Sequence, residues 1–397
     1  MNKRSWKRWT NLKTNKLLAL FLLSSLILSG CQKESGTAQI DPLKAGDYTY
    51  MLPYVKSSTE VTHSKYGSNK KDIFNMGKLA LELAKPYFDT KNTFASEGQI
   101  LSSSELERFD SRYRGLGLLK YKTDYNPEGL NPEKGNFVQN GTGIDMYNPI
   151  LVSDVHEIDF VDKNGEFVGF QFIIVLNERV TYYEADKNED GSIKKDENGE
   201  VVLKKESKST EISAQQLYNY GSIEAGNRLV SYLRNNHPEV GNLPIQILLY
   251  KTASSDSKLY GTFIGQSYVT TRASTTYEKI NQEWVFAPST RLEKLNTLLA
   301  SQISNVKSQI FDYFPNEVGF YGRIFFENNI AKTVEIEINM RGKTYVEIQS
   351  LIQYVKSLAP SINENKPELK IHVLSDGETV AILTREKDSE TITVTPL

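Results

Sequence analysis

Glu157 and Asp159, in the run HEIDF, stand two residues apart, the spacing that puts two carboxylates on one side of a strand. Such a pair could divide into acid and base if its environment split the two pKa values, and an alternating solvent-facing row accounts for the same spacing. The four histidines, His63, His156, His237 and His372, are scattered, with no H-E-x-x-H and no i, i+4 pair, so no metal site is expected from spacing. Gly265-Gln266-Ser267 lacks the second glycine of a nucleophile elbow, and Gly115-Leu116-Gly117 lacks the preceding strand and third glycine of a phosphate cradle. Residues 186–197, DKNEDGSIKKDE, satisfy D-x-[DN]-x-[DN]-G-x₅-E, with Asp186, Asn188, Asp190 and Glu197 as calcium ligands and Gly191 at the turn. Their flanks read as strands rather than helices, and Lys187, Lys194 and Lys195 dilute the charge, which favours a solvated hairpin tip. No catalytic centre emerges, and the chain is not expected to be an enzyme.

The lone cysteine is different. Cys31 ends an apolar run, 17–28, that follows sixteen residues carrying Lys3, Arg4, Lys7, Arg8, Lys13 and Lys16 without an acid. A positive segment, a short apolar segment and small residues before a cleavage point form a secretory leader, too short to span a bilayer as a helix. Leu28-Ser29-Gly30-Cys31 looks like the lipobox of bacterial lipoproteins, where cleavage between Gly30 and Cys31 leaves a lipidated N-terminal cysteine. Two acyl chains suffice for stable attachment. The expected partners are therefore the lipid bilayer, through acylated Cys31, with signal peptidase and prolipoprotein acyltransferase during maturation. The expected place is the outer face of the cell membrane, in a bacterium of Gram-positive type. With its thiol acylated, the mature chain has no disulfide or thiolate site, and no cofactor is expected.

Charge supports the division. The whole chain is at −2, but the leader holds six Lys+Arg and no acid, which leaves 41 basic against 49 acidic residues. A net acidic body argues against nucleic acid as a partner.

The elements that must position these residues alternate between helical and strand periodicity. Residues 32–47 are small, polar and aperiodic and read as a tether. Residues 73–89 place Met76, Leu79, Ala80, Leu83 and Tyr87 on one helical face ahead of EGQILS at 97–102, read as a strand. Ser222 is expected to cap a helix over 223–236, which leads into the strand PIQILLY. The two helix-loop-strand units resemble one another at an offset of 149 residues, from Gly77 to Gly226. Strands at 150–160 and 167–176 are joined by Asn164-Gly165, a strong hairpin signal, and a second Asn198-Gly199 precedes another strand. A helix over 290–314, strands at 320–326 and 333–340, a helix over 344–358 and strands at 368–374, 379–385 and 391–395 complete the reading. The expectation is an α+β fold of two tandem related domains, each an antiparallel sheet with packed helices. The boundaries are 1–30 for the leader, 31–47 for the tether, 48–212 for the first repeat and 213–397 for the second.

The leader, EGQ at 97–99, GLNPEKG at 129–135, YNPILVSDVHEIDF at 147–160, EAGNRLVSYLR into LPIQILLY, and GRIFFENNIAKTVEIEINMRG with its following helix together resemble the CamS family of sex pheromone lipoproteins. The resemblance runs over nearly the whole mature chain. It implies tandem duplicated domains and a short apolar peptide, released from the end of the leader, that induces conjugative plasmid transfer. On this chain that peptide is Ser24, Ser25, Leu26, Ile27, Leu28, Ser29 and Gly30.

For the body, three readings compete: a binding module of unknown ligand, a solute-binding lipoprotein feeding an importer, and a surface enzyme. The hairpin signals count against the parallel alternation of an importer's binding protein, and the missing constellations count against the enzyme.

Overall fold

The computed structural model describes residues 42–66, 70–107, 116–132, 137–138, 145–254, 256–270, 275–315 and 318–397. In chain order the first part contains β1 (Thr49–Tyr50), α1 (Glu60–Tyr66), α2 (Lys70–Ala84), β2 (Phe94–Glu97), α3 (Ser103–Leu106), β3 (Phe137–Val138), β4 (Asp145–Met146), β5 (Val152–Val161), β6 (Phe167–Leu176), β7 (Arg179–Ala185) and β8 (Leu203–Glu211). It continues with α4 (Ala214–Tyr220), a π-helical turn (Gly221–Ala225), α5 (Gly226–Asn236), β9 (Ile245–Lys251), β10 (Thr262–Val269) and β11 (Glu278–Lys279). The rest comprises β12 (Gln282–Ala287), α6 (Thr290–Leu295), α7 (Thr297–Tyr313), β13 (Val318–Glu327), β14 (Ile330–Met340), α8 (Tyr345–Leu358), β15 (Glu368–Ser375), β16 (Glu378–Arg385) and β17 (Thr393–Pro396).

Seven strands form one sheet in the order β1-β2-β5-β6-β9-β10-β11, and six form another in the order β12-β13-β14-β15-β16-β17. From β2 to β11 the neighbours pair antiparallel, antiparallel, parallel, antiparallel, antiparallel. From β12 to β17 the same sequence of directions recurs. The fold is α+β, and within each of these runs the one parallel pair is joined by a helical crossover, α4–α5 between β6 and β9 and α8 between β14 and β15, while the short β1 adds a second parallel pair to the first sheet at β2.

The expected division at residue 213 falls inside the first sheet. The segment beginning at Ala214 is the crossover that lets β9 lie parallel to β6, so it closes the first sheet instead of opening a second repeat. The 149-residue offset compares two helix-strand units of that same sheet. The recurrence runs instead from β2–β11 to β12–β17, with the changeover between Lys279 and Gln282.

Local chemistry explains the element ends. Ser213 caps α4 by accepting from the Gln216 amide, while the Gln216 side chain returns to the Ser213 amide. Ser222, expected to cap a helix, is instead buried within a continuous helical run. The long apolar stripe after Thr290 divides because Asn296 ends α6 and caps α7, its side chain accepting from the Leu299 amide. Residues 97–102, expected as a strand, contribute only Glu97 to β2 and then turn over β5.

The first sheet is covered on both faces. Phe170, Phe172, Ile174, Leu176, Ile247 and Leu249 pack towards α4–α5, while Ile173, Val175, Leu248 and Tyr250 meet Met76 and Ala80 of α2. Burial of each large side chain contributes about 1.5–3 kcal/mol. Beneath α2, Gln171 donates to the Ala80 carbonyl and to Gln246 Oε1, and Gln246 donates to the Leu83 carbonyl. The Leu83 carbonyl, in the last turn of the helix, thus gains a partner that the helix itself does not supply. The second sheet buries Val334, Ile336, Ile338 and Met340 against Leu299, Ile303, Leu351 and Val355.

Candidate functional site

The strand β5 carries two clusters of titratable groups on its two faces. On one face, Glu157 and Asp159 lie side by side, as their spacing predicts, and both are buried. Glu157 accepts the amides of Ile100 and Leu101, each at 2.8 Å, and Asp159 Oδ2 accepts the Gln99 amide at 2.9 Å. Three consecutive backbone amides therefore close over the pair. Burial, and then the Glu157 charge, push Asp159 up to about 10, so it keeps its proton at neutral pH. The proton on Asp159 gives Glu157 a hydrogen-bond donor where a second buried charge would repel it. Roofed by residues 98–101, the pair fastens a turn and offers no face to a substrate.

On the other face stands a constellation that spacing did not announce. His63 of α1 places Nδ1 2.8 Å from Asp154 Oδ2, and His156 places Nε2 3.4 Å from the same oxygen. The two imidazoles stack, with centroids 4.0 Å apart and planes at 13°. Asp154 Oδ1 accepts the Val155 amide, and Thr59 Oγ1 lies 2.8 Å from His63 Nε2. Burial raises the pKa of Asp154, but hydrogen bonds and charge from His156 and His63 prevail and hold it well below the usual carboxylate range. A register shift between Val152 and Asp154 re-aims this end of the strand. Only Asp154 and His156, two apart on one strand, were legible as neighbours; His63 arrives from 91 residues before Asp154.

The remaining candidates take structural roles. His237 Nε2 lies 2.8 Å from Glu105 Oε1, which also accepts from the Tyr232 hydroxyl. His372 is on the second sheet, its pKa lowered by burial. Ser267 is buried in mid-strand on β10. Residues 186–197 form no helix-bound loop: Gly191 closes a tight turn onto the Asn188 carbonyl and Gly199 a second onto Asp196. Asp190 Oδ1 accepts from the amide and hydroxyl of Ser192, and Asp186 pairs with Lys194 at 3.5 Å. Asp186 and Asp190 are thus engaged by Lys194 and Ser192 respectively.

Beyond His156 along β5, Ile158 forms part of a groove of about 190 Å³ lined by Tyr50, Met51, Tyr54, Val55 and Leu81. Tyr50, Tyr54 and Val55 are each more than half exposed. Ser24, Ser25, Leu26, Ile27, Leu28, Ser29, Gly30 and Cys31 lie outside the described residues, and so does Gly115. Among the described residues no helix is long and apolar enough to cross a membrane.

Comparison with known proteins places this architecture. A crystal structure of a sex pheromone precursor from Lactobacillus salivarius aligns with a TM-score of 0.70 at 22% identity, covering 91% of this chain and 99% of that one. The C-terminal domain of the sex pheromone staph-cAM373 precursor from Staphylococcus aureus aligns with a TM-score of 0.60 at 19% identity, covering 83% of this chain and 98% of that one. These likenesses establish the fold. No curated protein matches the sequence. The family model described as CamS sex pheromone cAM373 precursor matches residues 54–391, most of the chain. The chain therefore belongs to the CamS sex pheromone cAM373 precursor family.

Proposed function

We propose that this chain serves twice: a peptide cut from its leader acts as a sex pheromone, and the remainder stays on the outer face of the cell membrane as a lipid-anchored binding module. The observation that carries this reading is the family match over residues 54–391. The leader supplies what the family role requires: an apolar, uncharged peptide, SSLILSG, immediately before Cys31. Signal peptidase cuts between Gly30 and Cys31, and a further protease trims the released leader. The acylated cysteine holds the body at the membrane, since two chains bind stably where one gives only marginal attachment. Cys31→Ala should abolish incorporation of a labelled fatty acid and release the body or leave it unprocessed. Labelling that persisted in Cys31→Ala would overturn the anchor.

A second reading of the body, a solute-binding lipoprotein feeding an importer, draws support from the apolar groove beside Ile158. Thermal shifts against peptides, sugars and amino acids separate it, because a ligand at 100 times its Kd adds about 2.7 kcal/mol of stability.

A further inference from the structure

We propose that His63, Asp154 and His156 form a site for a divalent transition metal of the zinc class. The donor atoms of the three residues lie within 4.8 Å of one another. Donors on a tetrahedral zinc at about 2.0–2.1 Å stand roughly 3.4 Å apart. The separation of His156 Nε2 from Asp154 Oδ2, 3.4 Å, already suits that geometry. His63 Nδ1, at 2.8 Å from the same oxygen, has to withdraw by about half an ångström.

The stacked arrangement of the rings says which group moves. Imidazole lone pairs lie in the ring plane, so two rings nearly parallel at 4.0 Å cannot both aim at one ion until one of them turns. His156 is held in the ladder of β5, whereas His63 sits on the seven-residue helix α1. His63 is therefore the ring that turns, exchanging its bond to Asp154 for one to the metal.

The donor set selects the ion. Two imidazole nitrogens and one carboxylate oxygen suit zinc and its transition-metal neighbours, whereas calcium and magnesium take oxygen. The surroundings are those that orient metal ligands: the Val155 amide fixes Asp154 Oδ1, and Thr59 Oγ1 accepts from His63 Nε2 in the tautomer that frees Nδ1. All three side chains are mostly shielded, with 18%, 5% and 16% exposure for His63, Asp154 and His156. Three protein ligands leave a fourth position for water or for a donor from a bound partner. Because His63 comes from the N-terminal segment and the other two from β5, the ion clamps that segment to the sheet.

The test uses the full chain stripped with a chelator and titrated with cobalt(II), then zinc. The expected result is one equivalent bound per chain, with the visible absorption of tetrahedral cobalt, displaced by zinc. His63→Ala and His156→Ala should each lose the absorption and the stabilisation by added metal while keeping the wild-type circular dichroism, although the loss of a partner to Asp154 lowers their metal-free melting. His237→Ala should retain it. Thr59→Val, which leaves all three ligands in place, should weaken binding about tenfold. The proposal is overturned if the unaltered chain takes up no more cobalt than the His63→Ala/His156→Ala double variant, or if His237→Ala abolishes uptake equally.

Discussion

Gly98 packs against Glu157 so closely that a Cβ on residue 98 would stand 2.6 Å from both Cβ and Cγ of Glu157. Glu157 cannot retreat, because its two oxygens hold the amides of Ile100 and Leu101. The turn and the buried carboxylate are thus one unit, and the sequence EGQIL is conformationally committed by the strand it covers.

Gly98→Ala should therefore destabilise the fold by about 1–3 kcal/mol, as overpacking of a fixed site does. Chemical denaturation measures it. A change below about 0.5 kcal/mol, the range of neutral surface substitutions, would mean the turn is not clamped.

The carboxyl pair makes stability depend on pH. Asp159 is raised to about 10 in the folded protein, first by burial and then by the Glu157 charge. Its unfolded value is near 3.9. Between these values the folded state holds a proton that the unfolded state has released, so this contribution to stability falls as pH rises, by up to about 1.4 kcal/mol per pH unit. Asp159→Asn, which needs no proton, should flatten the decline in melting temperature between pH 5 and pH 9. Parallel curves for the two proteins would contradict the assignment.

Asp154 acts in the opposite sense. Burial opposes its ionisation, but the hydrogen bonds from His156 and His63 hold its pKa below the unfolded value. Its contribution is present above the ordinary carboxylate pKa and is lost as pH falls below it. Asp154→Asn should lessen the loss of stability on acidification below about pH 4. An unchanged acid limb would show that the histidines do not stabilise the carboxylate.

Periodicity made much of this fold readable. The hairpin at Asn164-Gly165, the strand 167–176 and the helix 345–358 lie where alternation, turn residues and a helical stripe predict them. The break at Asn296 was hidden because the apolar stripe continues through it, and only the cap geometry ends α6. Ser222 misled for the converse reason, since a good capping residue is equally able to sit inside a helix whose cap, Ser213, lies further upstream. Strand partners are not encoded in periodicity, so the parallel pairing of β6 with β9 was illegible, and with it the position of the changeover between the sheets. The same limit hid the His63–Asp154 contact, which depends on where α1 lands.

Separating the chain at residue 280 leaves both sheets whole, whereas separation at 213 removes β9, β10 and β11 from β6. Fragments 42–280 and 281–397 should each melt cooperatively, and fragments divided at 213 should not both do so. Cooperative melting of both fragments from the division at 213 would contradict the sheet assignment.

Without disturbing export, a synthetic peptide tests whether the leader carries a signal. SSLILSG, or a form trimmed by a residue or two, should induce conjugative transfer when added to a responsive donor strain. The same peptide with Ile27→Asp should be silent, because a carboxylate buried in an apolar receptor groove without a partner costs more than so short a peptide recovers. If SSLILSG and its trimmed forms leave transfer unchanged in every donor, while deletion of residues 49–397 produces an envelope defect, the function belongs to the body and the pheromone account fails.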